Sequence, residues 1–316
     1  ADAVRHAEKQ SVTPYTLNKT NFPLHGIADD LAGWRSELNN GRGFILFRGF
    51  PVEEYSLSQW ELIFLGLGIH FGQPISQSNL GELVGHVVNI GGKDRRERAY
   101  RNSRELDLHT DRCDYIGMLC LKRALQGGLS GYASALTIHN TIRDERPELL
   151  EPLYRGYRLH RFGEEAPGEP PVTDQEIPIF SVCDGYPNVI FIRGYIDLAL
   201  DEGFYSLSEL QQEALDYMEA VSNREDICLE MMLEPGEATI TNNCLLLHKR
   251  TAFVDGDTEQ TRRHLLRLWL NDSNRPAAQG VLAHKTDRGI SKLEGRGTYY
   301  DGPAPGYQGS DADDGY

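Results

Sequence analysis

Residues 262–270 read RRHLLRLWL, and their alternation decides the fold class. In an extended strand successive side chains point to opposite faces. Arg263, Leu265 and Arg267 then share one face, and His264, Leu266, Leu268 and Leu270 share the other. The leucine face is suited to a core. The arginine face is costly to bury unless anions meet it, because an unpaired guanidinium loses its hydration. Short strand-like runs recur through the chain. Strands are expected over 43–50 (GFILFRGF), 84–90, 119–124, 132–138, 177–182, 188–193, 227–233 and 238–241, with a further buried run at 244–247. Turns are signalled by Gly127-Gly128, by Asp184-Gly185 with Pro187, and by Glu234-Pro235-Gly236-Glu237. Helices are fewer. Ser56 or Ser58 can cap one that runs through Trp60, Leu62, Ile63 and Leu67. A second is expected over 140–154. Ser208-Glu209-Leu210-Gln211 is a capping box that opens a third. Many short strands with a few inserted helices predict a mainly β fold, an antiparallel sandwich or barrel with helices packed on one side.

The chain has 316 residues, 40% hydrophobic and 25% charged, enough apolar material for a sizeable core. A single domain is expected over 1–275. A Gly-, Pro- and Asp-rich extension over 276–316 should be loop-rich, and its end over 301–316 disordered or draped over the surface. The net charge of -15 disfavours nucleic acid, whose phosphates are met by Lys and Arg. The longest apolar stretch, 62–69, is too short to span a bilayer, and the N-terminus lacks a secretory pattern. Cys113, Cys120, Cys183, Cys228 and Cys244 are odd in number and form no CxxC, which suits free thiols in a reducing cytoplasm. The expectation is a cytoplasmic protein acting on a small molecule, with no membrane and no nucleic-acid partner. Homo-oligomerisation is left open.

The chemistry centres on Leu108-His109-Thr110-Asp111. On a strand, residues i and i+2 point the same way, so His109 and Asp111 would converge. An imidazole and a carboxylate suit a borderline divalent metal. One more imidazole would complete a 2-His-1-carboxylate face that leaves positions open for small ligands. HxD alone is common by chance. Of the ten histidines, His248 stands apart: it follows the buried run at 244–247 and precedes Lys249-Arg250, which suits a ligand projecting from a core strand. Cys113 lies near but reads as a packing residue. Arg263 and Arg267 could pair a dicarboxylate bidentately, or equally a protein carboxylate. Arg193, placed on the strand over 188–193, and Tyr115 could also reach such a pocket. Residues 91–105 are rich in Arg, Lys, Asp and Glu and read as an exposed loop, placed where a lid over a metal would be useful.

Four segments taken together carry a resemblance: HTD at 109–111, GGLSGYAS at 127–134, NNCLLLHKRTAF at 242–253 and RRHLLRLWL at 262–270. In order and spacing the sequence resembles the taurine dioxygenase-like family of Fe(II)/2-oxoglutarate-dependent oxygenases, over about residues 43–270. The resemblance implies a double-stranded β-helix, the jelly-roll or cupin-like barrel. It implies that His109, Asp111 and His248 ligate Fe(II), and that Arg263 holds the distal carboxylate of 2-oxoglutarate. Arg267 matches an arginine shared between co-substrate and an anionic group of the substrate. A hydroxyl residue after the double glycine usually assists the distal carboxylate. Ala133 stands near that position here, which leaves Ser134 as the candidate. The implied reaction consumes O2 and 2-oxoglutarate, releases succinate and CO2, and hydroxylates, desaturates or cyclises a small carboxylate- or amino-acid-like molecule. Related halogenases lack the carboxylate ligand, so Asp111 argues against halogenation. A Zn-dependent enzyme on the same barrel and a non-catalytic metal-binding module are the competing readings. The paired arginines count against the first, and the intact ligand set against the second.

Overall fold

In the computed structural model, which describes residues 2–91, 94–285 and 289–304, the two faces of 262–270 part as the alternation requires. Leu266, Leu268 and Leu270 enter an apolar cluster, while Arg263 and Arg267 line a cavity between two sheets. The strands in chain order are β1 (Phe44–Phe47), β2 (Gln73–Pro74), β3 (Val84–Val88), β4 (Leu106–His109) and β5 (Tyr115–Lys122). Next come β6 (Gln126–Gly127), β7 (Ser130–Ser134), β8 (Phe180–Cys183), β9 (Tyr186–Val189) and β10 (Cys228–Met231). The last four are β11 (Ala238–Asn242), β12 (Leu246–Arg250), β13 (Phe253–Val254) and β14 (His264–Asn271). The larger sheet runs β1-β11-β5-β14-β2, with β3 also on β14; the smaller runs β10-β7-β12-β4. Every pairing in both is antiparallel. Two short ribbons, β6–β13 and β8–β9, complete the strands.

Helices cover the outer faces. The α-helices are α1 (Asp2–Lys9), α2 (Ala28–Asn40), α3 (Leu57–Gly68), α4 (Ala135–Glu145), α5 (Leu150–Arg155), α6 (Arg193–Asp201), α7 (Glu209–Ser222) and α8 (Gln279–His284). Leu31, Leu38, Trp60 and Phe64 from α2 and α3 pack on Tyr115, Leu119, Ala238 and Ile240 of the larger sheet. Ile138 and Ile142 of α4, Leu153 of α5, and Leu215 and Met218 of α7 pack on Leu108, Ala133 and Leu247 of the smaller one. The gap between the sheets is left for polar groups. Tyr132 crosses it, with its ring edge-on to Phe44 and its hydroxyl 3.3 Å from Thr239 Oγ1.

The capping boxes at Ser56 and Ser208 form as their sequences require, each hydroxyl accepting from the backbone N–H three residues on. Elsewhere the chain departs from expectation for local reasons. The strand expected over 132–138 stops at Ser134, whose hydroxyl accepts from Thr137 N (3.3 Å) and caps α4. The helix expected to begin at 140 therefore begins at Ala135, and it gives way to a 3-10 turn (Pro147–Leu149) before α5. The strand expected over 188–193 ends at Val189. Arg193 opens α6 instead, paired to Asp197 one turn on (2.8 Å). Residues 91–105 are not a wholly exposed loop: Arg98, Tyr100 and Asn102 are buried. The extension after 275 holds α8 and packs against the rest of the chain. Val281 and Ile290 are buried, and Lys285 Nζ lies 2.7 Å from Asp114 Oδ1. The terminal stretch 305–316, expected to be loop, lies outside the described residues.

Candidate metal centre

His109 and His248 are brought together by sheet register. β4 and β12 pair antiparallel with the two residues directly opposite, and their ring centroids are 4.3 Å apart. His248 directly follows the buried residues 244–247, but it sits in the middle of β12 and not at the end of a core strand, because that strand begins at Leu246 and runs on to Arg250. Asp111 lies just past the end of β4, where the backbone is held from two sides. Thr110 N donates to Phe191 O (2.8 Å) while Phe191 N donates to Thr110 Oγ1 (3.0 Å). Asn243 closes the other side: its Oδ1 accepts from Asp111 N (3.0 Å), and its Nδ2 donates to the carbonyls of Asp111 and Cys113. The carboxylate then lies 3.9 Å from His109 Nε2 and 3.7 Å from His248 Nε2. One ligand atom from each of the three residues falls within 4.8 Å of the others.

The surroundings prepare these atoms for a cation. His109 Nδ1 lies 2.7 Å from Asp107 O, which fixes the proton there and leaves the Nε2 lone pair free. Burial, with His109 adding to it, pushes the His248 pKa down to about 3 against the pull of Asp111, so its imidazole is neutral at physiological pH. Burial alone would raise the Asp111 carboxyl. Arg267 and the two imidazoles outweigh it and hold the pKa at about 2. One carboxylate oxygen, Oδ2, accepts from Trp269 Nε1 (2.8 Å) and Arg267 Nη1 (3.3 Å). Two imidazoles and a carboxylate, with His109 and Asp111 each oriented by a second partner, fit a non-heme Fe(II) ion with open positions.

A cavity opens beside the triad, lined by His109, His248, Ser130, Tyr132, Arg250 and Arg263 among polar residues and by Val87, Leu106, Ile116 and Met118 among apolar ones. Arg263 is buried, with its Nη1 unpartnered and its guanidinium 5.1 Å from the Phe253 ring. Arg267 is fixed by Gln77 Oε1 (2.8 Å), and its Nη2 is unpartnered. Ser134 caps α4 and does not line this cavity; the serine that does is Ser130, four residues earlier on β7. Tyr115 points to the opposite face of β5, where its hydroxyl meets Asn39 (2.6 Å), and Arg193 is engaged with Asp197 and Asp216. Cys113 is packed with Ile75, Ile116 and Trp269.

Several residues here were not anticipated. Trp269 shares the strand face of Arg263 and Arg267, and Arg250 the face of His248, so each was within reach of the same alternation. Gln77, Arg98 and Tyr100 come from irregular segments and give no such signal.

Residues 9–269 match the family described as "Taurine catabolism dioxygenase TauD, TfdA family". FR-33289 synthase of Streptomyces rubellomurinus is 31% identical over 280 residues, covering 86% of this chain and 82% of that protein. The taurine hydroxylase-like protein SAT17 of Stachybotrys chartarum is 25% identical over 298 residues, covering 88% and 72%. Two solved structures share the fold. The non-heme iron oxygenase OrfP with Fe and alpha-ketoglutaric acid superposes with a TM-score of 0.65 at 15% identity, over 92% of this chain and 96% of that one. Asparagine oxygenase with Fe(II), 3-hydroxyasparagine and succinate gives 0.62 at 18% identity, over 80% and 81%. With its match spanning most of the chain, this protein belongs to the TauD/TfdA family and is an Fe(II)- and 2-oxoglutarate-dependent oxygenase.

Proposed function

We propose that His109, Asp111 and His248 hold the Fe(II), that Arg263 anchors the distal carboxylate of 2-oxoglutarate, and that the substrate is a small carboxylate- or amino-acid-like molecule. The two sheets are then the halves of a double-stranded β-helix, with the iron between them. The carrying observation is the convergence of the three ligand atoms within 4.8 Å, with a buried arginine whose Nη1 has no partner lining the same cavity. When bound, the iron and 2-oxoglutarate supply O2 activation and yield succinate and CO2 as by-products.

The chain's own groups do the positioning. Asp107 O holds the His109 ring with Nε2 inward. Trp269 and Arg267 engage Asp111 Oδ2 and so fix the orientation of the carboxylate that would hold the metal. The apolar wall of Val87, Leu106, Ile116 and Met118 keeps bulk water from the oxidising centre. Arg267 Nη2 is available to an anion on the metal side of the cavity, which favours a substrate carrying a carboxylate or a comparable acidic group. The oxygenases of matching fold have structures with L-Arg or 3-hydroxyasparagine, which fits an amino-acid-like substrate.

The test is anaerobic addition of Fe(II) and 2-oxoglutarate, expected to give a weak visible charge-transfer band that His109→Ala abolishes. A panel of carboxylates and amino acids screened by substrate-stimulated succinate release then identifies the substrate class. Absence of both the band and succinate would refute the assignment. An unchanged 2-oxoglutarate requirement in Arg263→Ala would remove that residue's role.

A further inference from the structure

Two buried cations face the same cavity. Arg250 and Arg263 are each about nineteen-twentieths buried, and among the described residues neither side chain forms an ion pair with a carboxylate. Both guanidinium groups meet Phe253, whose ring centroid is 4.9 Å from the Arg250 guanidinium carbon and 5.1 Å from that of Arg263. Arg250 is pinned by one nitrogen, Nη2, which donates to Arg104 O. Its Nε and Nη1 are buried without a partner, as is Nη1 of Arg263. Directly across the β7–β12 ladder from Arg250 stands Ser130, whose residue also lines the cavity.

Burying two like charges side by side, each with unmet donors, is expensive unless an anion completes them. Burial, with Arg263 adding to it, pulls the Arg250 guanidinium down to about 9, so the pair strains against its own charge and still stays protonated at neutral pH. Nothing in the role proposed for Arg263 uses Arg250.

We propose that Arg250 is a second guanidinium for the distal carboxylate of 2-oxoglutarate, forming with Arg263 a two-cation clamp beside Phe253. This rests on the co-substrate assignment made above. A planar carboxylate has lone pairs enough to accept from two guanidinium forks at once, and the hydroxyl of Ser130 is placed to add a further donor. A clamp of this kind makes the distal carboxylate the main discriminator among 2-oxo acids. An acid with the same carbon chain but no distal carboxylate leaves two buried cations uncompensated.

The experiment compares 2-oxoglutarate with 2-oxovalerate, which keeps the chelating keto acid end and lacks the distal carboxylate. Each is titrated anaerobically into the Fe(II)-loaded enzyme, and dissociation constants are read from the charge-transfer band. Arg250→Met is expected to weaken 2-oxoglutarate roughly 10- to 100-fold, the scale of a lost charge-assisted hydrogen bond. It should leave 2-oxovalerate essentially unchanged. Arg250→Lys, which keeps the charge and loses the fork, should weaken 2-oxoglutarate by less, and it carries the test should the methionine variant not fold. Equal weakening of both acids would show that Arg250 only supports the structure. Unchanged 2-oxoglutarate affinity would show no role at all, and either result overturns the clamp. A wild-type enzyme that gives no band with 2-oxoglutarate overturns the co-substrate assignment itself, and the clamp with it.

Discussion

Trp269→Phe is the substitution that most directly probes how the metal centre is built. The indole N–H lies 2.8 Å from Asp111 Oδ2, and the ring is almost fully buried among Ile75, Cys113, Ile116 and Ile290. Phenylalanine keeps an aromatic ring in that packing and removes the donor. Asp111 Oδ2 would then keep only Arg267, at 3.3 Å. A hydrogen bond to a charged acceptor contributes about 1.5–3 kcal/mol net, so the apo protein should lose stability on that scale. The larger consequence is for the metal. Partners that orient a ligand typically change affinity by roughly 10- to 100-fold, and an Asp111 carboxylate free to rotate would no longer present one oxygen beside both imidazoles. Anaerobic competition between the apo enzyme and a chelating indicator for Fe(II) measures that affinity, and urea unfolding of the same samples measures the stability. A folded Trp269→Phe protein with wild-type Fe(II) affinity would refute the view that the indole positions the ligand, whatever its effect on stability.

Other perturbations follow from the same geometry. Asp114→Ala leaves the Lys285 ammonium buried with the Cys244 sulfur and no carboxylate, so it should destabilise by about 3–5 kcal/mol and loosen the chain beyond 275; urea midpoints and limited proteolysis of that segment report both. Gly127→Ala forces an L-residue to a φ of +68° and places its Cβ 2.2 Å from Ala252 O. The backbone strain alone costs about 1–2 kcal/mol, and the displaced β6–β13 ribbon carries Phe253, so 2-oxoglutarate affinity should fall as well. His284 is pushed well below its usual range by burial first and then by Arg112 and Lys285. Between that depressed value and about 6.5 the unfolded chain binds a proton that the folded chain refuses. Stability of the apo protein should therefore fall as pH drops below 6.5, by up to about 1.4 kcal/mol per pH unit for this group. Burial likewise lowers His264, which acts in the same direction. Equal urea midpoints at pH 7.5 and 5 would refute this.

What the sequence disclosed, and what it hid, divides along periodicity. β14 was legible because an eight-residue strand with one apolar face repeats every second residue, and that period also assigns Arg263 and Arg267 to the cavity side. Carried two residues further it reaches Trp269, and applied to His248 it reaches Arg250; both lie in strands whose faces were already known. Strand ends were harder. Ser134 can continue β7 or cap a helix, and only the N–H of Thr137 meeting its hydroxyl decides for the cap. That single hydrogen bond moves the candidate hydroxyl of the cavity back to Ser130, on the same face as Tyr132. Arg193 turned the same way, its ion pair with Asp197 one helical turn on replacing strand by helix.

The residues with no periodic signal are the ones held by tertiary contacts alone. Arg98 is the clearest of them. Its segment is rich in charge and reads as solvent-exposed. In the fold its guanidinium is buried against Glu164 (3.2 Å), with one nitrogen donating to Tyr195 (2.6 Å) and another to the Gln77 carbonyl (2.8 Å). Gln77 in turn accepts from Arg267, which meets Asp111. A charge-rich loop thus becomes the outer end of a chain of hydrogen bonds that terminates on the Asp111 carboxylate. Burial of Arg98 and Arg267 is tolerated because each meets a carboxylate, and composition, which counts charges without pairing them, cannot distinguish such a segment from a solvated one.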